Sequence, residues 1–242
     1  MLKRIYDKSK ILFAVMWIIA YCVLMSAADA LSAAVGMEKS VTLAIGLGLS
    51  VVLFVFLKKH ALLAEYGFCR SGVPARSMLY YIPVCLMLSA NLWYGVTCHY
   101  GITETVLYIL SMFCVGFLEE VIFRGLLFGA MRRDSLQSAV IVCSITFGIG
   151  HIINLFNGSG AELLPNLLQV VYAAAAGLMF VMLFLKTGSI VGCIVIHGIF
   201  NALSAFADDS AVTPGRQILT CVLLTVITGG YALYLARTMK RS

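Results

Sequence analysis

The chain has 242 residues, of which 62% are apolar and only 12% are charged, and its mean hydropathy is +1.00. This apolar content excludes an ordinary soluble globular domain of the same size. The formal net charge is +6, but no basic patch is interleaved with aromatic residues, which argues against nucleic-acid binding. The composition therefore predicts an all-α membrane protein whose surroundings are the lipid bilayer.

Apolar runs recur along the whole chain, each about as long as the 20 or so residues that a helix needs to cross a bilayer. Short polar connections separate them. The predicted spans are Ile11 to Leu31, Val41 to Leu57, Met78 to Val96, Thr105 to Met131, Leu136 to Phe156, Leu167 to Leu185, Ile190 to Phe206 and Ile218 to Leu235. We therefore predict one integral membrane domain over residues 1–242, a polytopic bundle of about eight transmembrane helices.

The basic residues predict how the helices are oriented, because Lys and Arg collect in cytoplasmic loops. With the N-terminus inside, the inner segments carry most of the 17 basic residues, including Arg237, Lys240 and Arg241 after the last span. The outer loops carry only Lys39 and Arg216. Both termini are therefore predicted to be cytoplasmic, in a multi-pass protein of a cell membrane.

The first span has features of two different kinds of segment. Basic residues, an apolar run and Ala28-Asp29-Ala30 resemble a secretory signal peptide with its cleavage site. The run is also long enough to span, and its removal would upset the even number of spans that the charges indicate. We expect a retained membrane anchor.

The eight cysteines do not predict a disulfide framework or a zinc cluster. Most of them lie inside predicted spans, and no C-x-x-C spacing occurs. We expect them to serve as small apolar packing residues.

Charged residues inside a predicted span are the strongest sign of function, because a charge at membrane depth is costly unless it faces a protein interior. Glu119, Glu120 and Arg124 lie in the apolar stretch from Val106 to Met131. Helical i,i+4 neighbours share a face, so Glu120 is the predicted partner of Arg124. Glu119 has no obvious local partner, which makes it the candidate reactive carboxylate. The alternative is that both glutamates join a charge network that fixes helix packing.

Two further polar elements lie inside predicted spans. In Phe147-Gly148-Ile149-Gly150-His151 the i,i+4 spacing puts an aromatic ring and an imidazole on one face, and the glycines permit close approach of another helix. In His197-Gly198-Ile199-Phe200-Asn201 the same spacing aligns His197 with Asn201. A lone histidine in a span is more often a packing residue, but polar elements on three helices predict a common site near mid-membrane.

These side chains suit the hydrolysis of a peptide bond. Glu119 can deprotonate a water that His151 also holds. His197 and Asn201 can then donate hydrogen bonds to the oxyanion. Alternatively, Glu119, His151 and His197 bind a divalent metal such as zinc, whose water attacks. Asparagine is a weak zinc ligand and the H-E-x-x-H motif is absent, yet the residues alone support both mechanisms.

The three motifs together resemble one protein family. The ordered set Glu119-Glu120-x-x-x-Arg124, Phe147-x-x-x-His151 and His197-x-x-x-Asn201 is similar to the CPBP family, over the segment from Thr105 to Phe206. This family includes the CAAX prenyl endopeptidases and bacterial Abi-type proteins, and it is described as intramembrane proteases. It is commonly labelled metalloprotease, and a metal-free glutamate mechanism is also proposed for it.

The resemblance implies roles for all the motif residues. Glu119 acts as general base, and Glu120 and Arg124 support the site. The remaining motif residues hold water, metal or oxyanion, namely His151, His197 and Asn201. The short loops resemble a bacterial member of the plasma membrane, which makes a prenylated substrate doubtful and suggests peptide maturation, bacteriocin self-immunity or surface-protein processing.

Three functions compete at this point. The first is an endopeptidase that cuts a peptide or protein substrate in or near the membrane. The second is a non-catalytic membrane scaffold, receptor or immunity factor with the same fold. The third is a proton-coupled carrier, since intramembrane Glu, His and Arg also form proton relays. The intact motifs favour the first over the second, and the absence of paired broken helices in two matching halves argues against the third.

Overall fold

The computed structural model describes residues 2–157 and 161–239, which form a bundle of helices without a β-strand. The predicted all-α class is therefore confirmed. Lys240 and Arg241, counted above among the cytoplasmic charges, lie outside the described residues. The α-helices are α1 (Leu2–Lys8), α2 (Lys10–Val35), α3 (Ser40–Lys59), α4 (Ile82–Leu88), α5 (Ile102–Glu119), α6 (Phe128–Met131), α7 (Leu136–Gly150), α8 (Leu163–Thr187), α9 (Val191–Leu203) and α10 (Pro214–Thr238).

Local sequence signals explain where several of these helices begin and end. The hydroxyls of Ser9, Ser135 and Thr213 accept hydrogen bonds from backbone N–H groups in the first turns of α2, α7 and α10. Such N-caps satisfy amide groups that have no partner inside the helix. At the end of α2, Gly36 has φ = 74°, a left-handed conformation that glycine adopts without steric cost.

Six helical stretches among the described residues are long and apolar enough to cross a membrane. They are Lys10–Val35, Ser40–Lys59, Ile102–Met131, Leu136–Leu155, Leu163–Thr187 and Pro214–Thr238. The third and seventh predicted spans instead contain apolar helices of only 10–17 residues, Ile82–Leu92 and Val191–Phe206. This length is below the roughly 20 residues of a full helical crossing.

The third predicted span, Met78 to Val96, is not one continuous α-helix. A 3₁₀ segment, Ala75–Tyr81, precedes α4, and another, Ser89–Leu92, follows it. Tyr81 has φ = 59°, which interrupts the helical path, and α4 restarts with Pro83 in its first turn. Proline lacks an amide hydrogen and is tolerated at a helix start but not in its interior, so an apolar run alone misjudges this segment.

Glycines bring the helices around the polar motifs into close contact. A Cβ on Gly116 of α5 would lie 2.8 Å from the backbone nitrogen of Gly198 on α9. A Cβ on Gly148 of α7 would lie 2.7 Å from the Cβ of Ala174 on α8. The close approach predicted at Gly148 is therefore confirmed. The same prediction is wrong for Gly150, where a Cβ would meet no described atom within 4 Å.

Candidate active site

The charged motif lies where α5 passes into a π-helical segment, Glu120–Leu127, before continuing as α6. Short π-helical stretches within α-helices frequently occur at functional sites. Glu119 is the last residue of α5, and its side chain is 13% exposed. The side chains of Glu120 and Arg124 are 0% exposed. The two adjacent glutamates therefore have different environments.

Glu120 and Arg124 form the ion pair that their spacing predicts. Arg124 Nη1 lies 3.0 Å from Glu120 Oε1. The guanidinium also lies over two aromatic rings, 4.1 Å from the ring centre of Phe147 and 5.2 Å from that of Phe180. Its nitrogens donate no hydrogen bond to any described residue. The carboxylate and the two π-faces are thus what compensates the buried cation.

His197 connects this buried pair to Glu119. Its Nδ1 lies 2.8 Å from Glu120 Oε1, and its Nε2 lies 3.4 Å from Glu119 Oε2. The imidazole also stacks on Phe180, with ring centres 5.3 Å apart. Both ring nitrogens of His197 therefore face carboxylates, whereas the sequence suggested that this histidine and Asn201 both point to an oxyanion.

Tyr21 is a site residue that the sequence analysis missed. Its hydroxyl donates a hydrogen bond of 2.6 Å to Glu119 Oε1, across 98 residues of chain. Glu119 thus receives partners from α2 and α9 rather than from its own helix. The sequence did contain a signal for Tyr21, which lies in the middle of an apolar span. Membrane tyrosines prefer the interface, and a buried tyrosine hydroxyl needs a hydrogen-bond partner.

His151 begins a 3₁₀ segment, His151–Leu155, directly after α7. Its Nδ1 lies 3.0 Å from the backbone oxygen of Phe147. A carbonyl oxygen only accepts hydrogen bonds, so Nδ1 is the donor in this contact and Nε2 is the ring nitrogen that is left for other partners. Asn166 of α8 donates a hydrogen bond of 2.9 Å to the His151 carbonyl and so ties this segment to α8. His151 is therefore held in place with Nε2 left for water or substrate.

A cavity of about 310 Å³ is lined by Glu119, His151 and Asn201, which come from three separate helical segments. A smaller cavity of about 50 Å³ is lined by His151, His197 and Asn201. Gln169 of α8, another residue that the sequence analysis did not single out, lines both cavities. The structure therefore brings Glu119, His151, His197 and Asn201 together around internal space, with the Glu120 and Arg124 pair buried beside them.

The conditional metal ligands Glu119, His151 and His197 come from three different helical segments. Within residues 2–157 and 161–239, no group of three or more His, Cys, Asp or Glu side chains is placed to hold a metal ion. The two ring nitrogens of His197 face Glu120 and Glu119. A histidine ligand binds a metal through one ring nitrogen and can donate the other N–H to a carboxylate. A carboxylate at the edge of a cavity can also exchange a proton with water.

Long apolar helices around a polar cluster of acid, imidazole and amide groups define the class: a multi-pass membrane protein with a polar site inside its bundle. Residues 101–203 match the family described as type II CAAX prenyl endopeptidase, Rce1-like. The match confirms the resemblance to the CPBP family, and the matched residues contain all three motifs. The family implies a membrane endopeptidase, a hydrolase of peptide bonds. No curated protein and no solved structure matches the chain.

Proposed function

We propose that this protein is an intramembrane endopeptidase in which Glu119 activates a water molecule for attack on a peptide bond. One observation carries the proposal: Glu119 is the motif carboxylate that borders the cavity of about 310 Å³, together with His151 and Asn201. Glu120, by contrast, is sealed against Arg124 and has no exposed surface. A general base must reach the reacting water, so the role falls to Glu119.

The contacts of Glu119 suggest how it is held for this task. Tyr21 donates to Oε1, and His197 lies near Oε2, so both oxygens of the carboxylate are positioned by other helices. A positioned carboxylate loses less orientational freedom when the reaction begins. In the proposed reaction, Glu119 takes a proton from water while the hydroxide oxygen bonds to the carbonyl carbon of the substrate.

The remaining steps use the amide and the imidazole of the same cavity. The Asn201 side-chain amide can donate to the oxyanion, and the free Nε2 of His151 can hold the attacking water. Glu119 then gives its proton to the leaving nitrogen as the carbon–nitrogen bond breaks. The products are a carboxylic acid and an amine, and the glutamate returns to its starting state.

The substrate in this proposal is a peptide or protein in or near the membrane, and the setting is the plasma membrane of a bacterium. The cavity lies inside an apolar bundle, so the scissile segment must approach along or through the bilayer interface. Peptide maturation, bacteriocin self-immunity and surface-protein processing are the roles that fit such a protease.

The proposal is tested by replacing His151 with alanine and comparing the membrane peptides of wild-type and variant cells by quantitative mass spectrometry. Loss of the imidazole removes the predicted water-holding nitrogen, and we expect cleavage to slow by about 10²–10³-fold. Uncut substrate should then accumulate in the variant.

The matched control is His99→Ala. The His99 ring contacts the backbone oxygen of Ala207 at 2.7 Å and belongs to an exposed loop, so the same replacement there should leave processing unchanged. If both variants are expressed normally and neither accumulates a peptide, the scaffold or immunity function replaces the protease.

Metal dependence gives a second test, on purified protein. Because the proposed reaction uses the Glu119 carboxylate alone as the base, we expect cleavage to continue at an unchanged rate in excess EDTA. Elemental analysis of the same sample shows whether metal has been removed. Loss of cleavage with EDTA and its recovery with zinc would establish the metal mechanism instead.

A further inference from the structure

The cavity beside Glu119 extends toward one end of the bundle and is closed toward the other. On α5 its lining residues Met112 and Val115 precede Glu119. Beyond Glu119 the chain is tightly packed: Val121, Ile122 and Leu126 of the π-helical segment are at most 1% exposed. Access to Glu119 therefore comes from the end of the bundle where α5 begins.

The other walls point to the same end. A neighbouring cavity of about 120 Å³ includes Asp29 near the end of α2 and Thr42 near the start of α3. The cavity of about 310 Å³ includes Ser204, which directly follows α9. Both cavities are lined by Met112 and Glu119, among others. We call the end of the bundle marked by Asp29, Thr42 and Ser204 the site end.

The site end also reaches the surface. The Asp29 side chain is 42% exposed although it borders the cavity of about 120 Å³. It accepts hydrogen bonds from Lys39 and Thr42, at 2.7 and 2.6 Å, so its position at the mouth is set by α3 and the loop before it. The cavity of about 120 Å³ therefore leads from the surface at Asp29 toward Glu119.

The charges of the chain distinguish the two ends. The end opposite the site end, here called the basic end, carries most of the Lys and Arg side chains at the helix termini, including Lys58, Lys59, Arg132, Arg133, Lys186 and Arg237. In the described residues, the bases at the site end are Lys39 and Arg216, and Lys39 is paired with Asp29. Loops rich in Lys and Arg are cytoplasmic in membrane proteins.

We infer that the catalytic cavity opens on the extracytoplasmic side of the membrane. Resting on the proposed protease function, this assigns a substrate class: an exported peptide, or a part of a membrane protein that lies outside the cytoplasm. A prenylated C-terminus in the cytoplasm would meet the basic end, where packed apolar side chains separate it from Glu119. The family description thus names a substrate that this chain is not oriented to receive.

The inference is tested by thiol labelling of the Met112→Cys variant in intact cells. A membrane-impermeant maleimide is added outside, and the labelled peptides are identified by mass spectrometry. Two native exposed cysteines serve as markers, Cys98 in the loop before α5 at the site end and Cys69 in the loop after α3 at the basic end. We expect Met112→Cys and Cys98 to be labelled in intact cells, and Cys69 only after permeabilisation.

A second variant, Ser26→Cys, places a thiol in the wall of the cavity of about 120 Å³. It tests the same access at another position, in case the replacement at Met112 disturbs the local structure. The inference is overturned if neither engineered thiol is labelled in intact cells, whether both stay unlabelled or both become labelled only after permeabilisation, as Cys69 does. Labelling needs no catalysis, so it can be repeated in Glu119→Gln protein. The labelling can therefore show that the orientation is wrong while the protease function is right. It can equally show that the orientation is right while the protease function is wrong.

Discussion

Glu119→Gln protein is expected to cleave its substrate about 10²–10⁴-fold more slowly than wild type. Glutamine has nearly the shape of glutamate, and its amide oxygen can still accept the hydrogen bond that Tyr21 donates to Glu119 Oε1. It cannot take a proton from water at neutral pH. The measurement is a single-turnover assay on purified protein, with a peptide that accumulates in His151→Ala cells as substrate.

The control for Glu119→Gln is the same replacement at Glu104, a half-buried glutamate in the first turn of α5 whose carboxylate accepts a hydrogen bond from the backbone of Glu38. This variant should cleave at the wild-type rate. A thermal midpoint for Glu119→Gln close to that of wild type would show that the bundle is intact. Cleavage by Glu119→Gln within a few-fold of wild type would rule out this carboxylate as the base.

Arg124→Ala protein is expected to be about 3–5 kcal/mol less stable than wild type. The replacement removes the cation that lies 3.0 Å from Glu120 Oε1 and leaves that carboxylate buried with 0% exposure. It also removes the flat group between Phe147 and Phe180. The effect is measured as the thermal midpoint in detergent and as the fraction of protein that elutes as a folded species.

A matched arginine at the surface separates this effect from a general loss of charge. Arg133 pairs with Glu65 at 2.7 Å, but its side chain is 58% exposed. Exposed pairs contribute about 0–1 kcal/mol, so Arg133→Ala should shift the midpoint little. In Glu120→Gln/Arg124→Met protein neither member of the pair is charged, and part of the lost stability should return. An unchanged midpoint for Arg124→Ala would show that the buried pair does not hold the helices together.

The contact between Glu120 and Arg124 was predictable because both residues are on one continuous helical path. Helical geometry alone determines which neighbours share a face, and the π-helical turns at this point do not separate the pair. The same spacing predicts that Glu120 is paired with Arg124 and that Glu119 has no partner on its own helix. In the structure this appears as exposed fractions of 0% and 13%.

Contacts between distant parts of the chain were not predictable in the same way. His197 reaches Glu120 across 77 residues, and Tyr21 reaches Glu119 across 98. No local periodicity encodes such pairs, because they depend on which helices pack together and at what rotation. The contact of α5 with α9 at Gly116 and Gly198 is one part of the packing that brings His197 to the glutamates.

The sequence by itself determined the membrane class, the family resemblance and the local pair of Glu120 and Arg124, since apolar length and helical spacing are properties of single segments. Only the tertiary structure decided which atoms face Glu119, where the third predicted span breaks, and toward which end the cavity extends. These features arise from contacts between segments, and a buried polar group takes its chemistry from the groups that packing places around it.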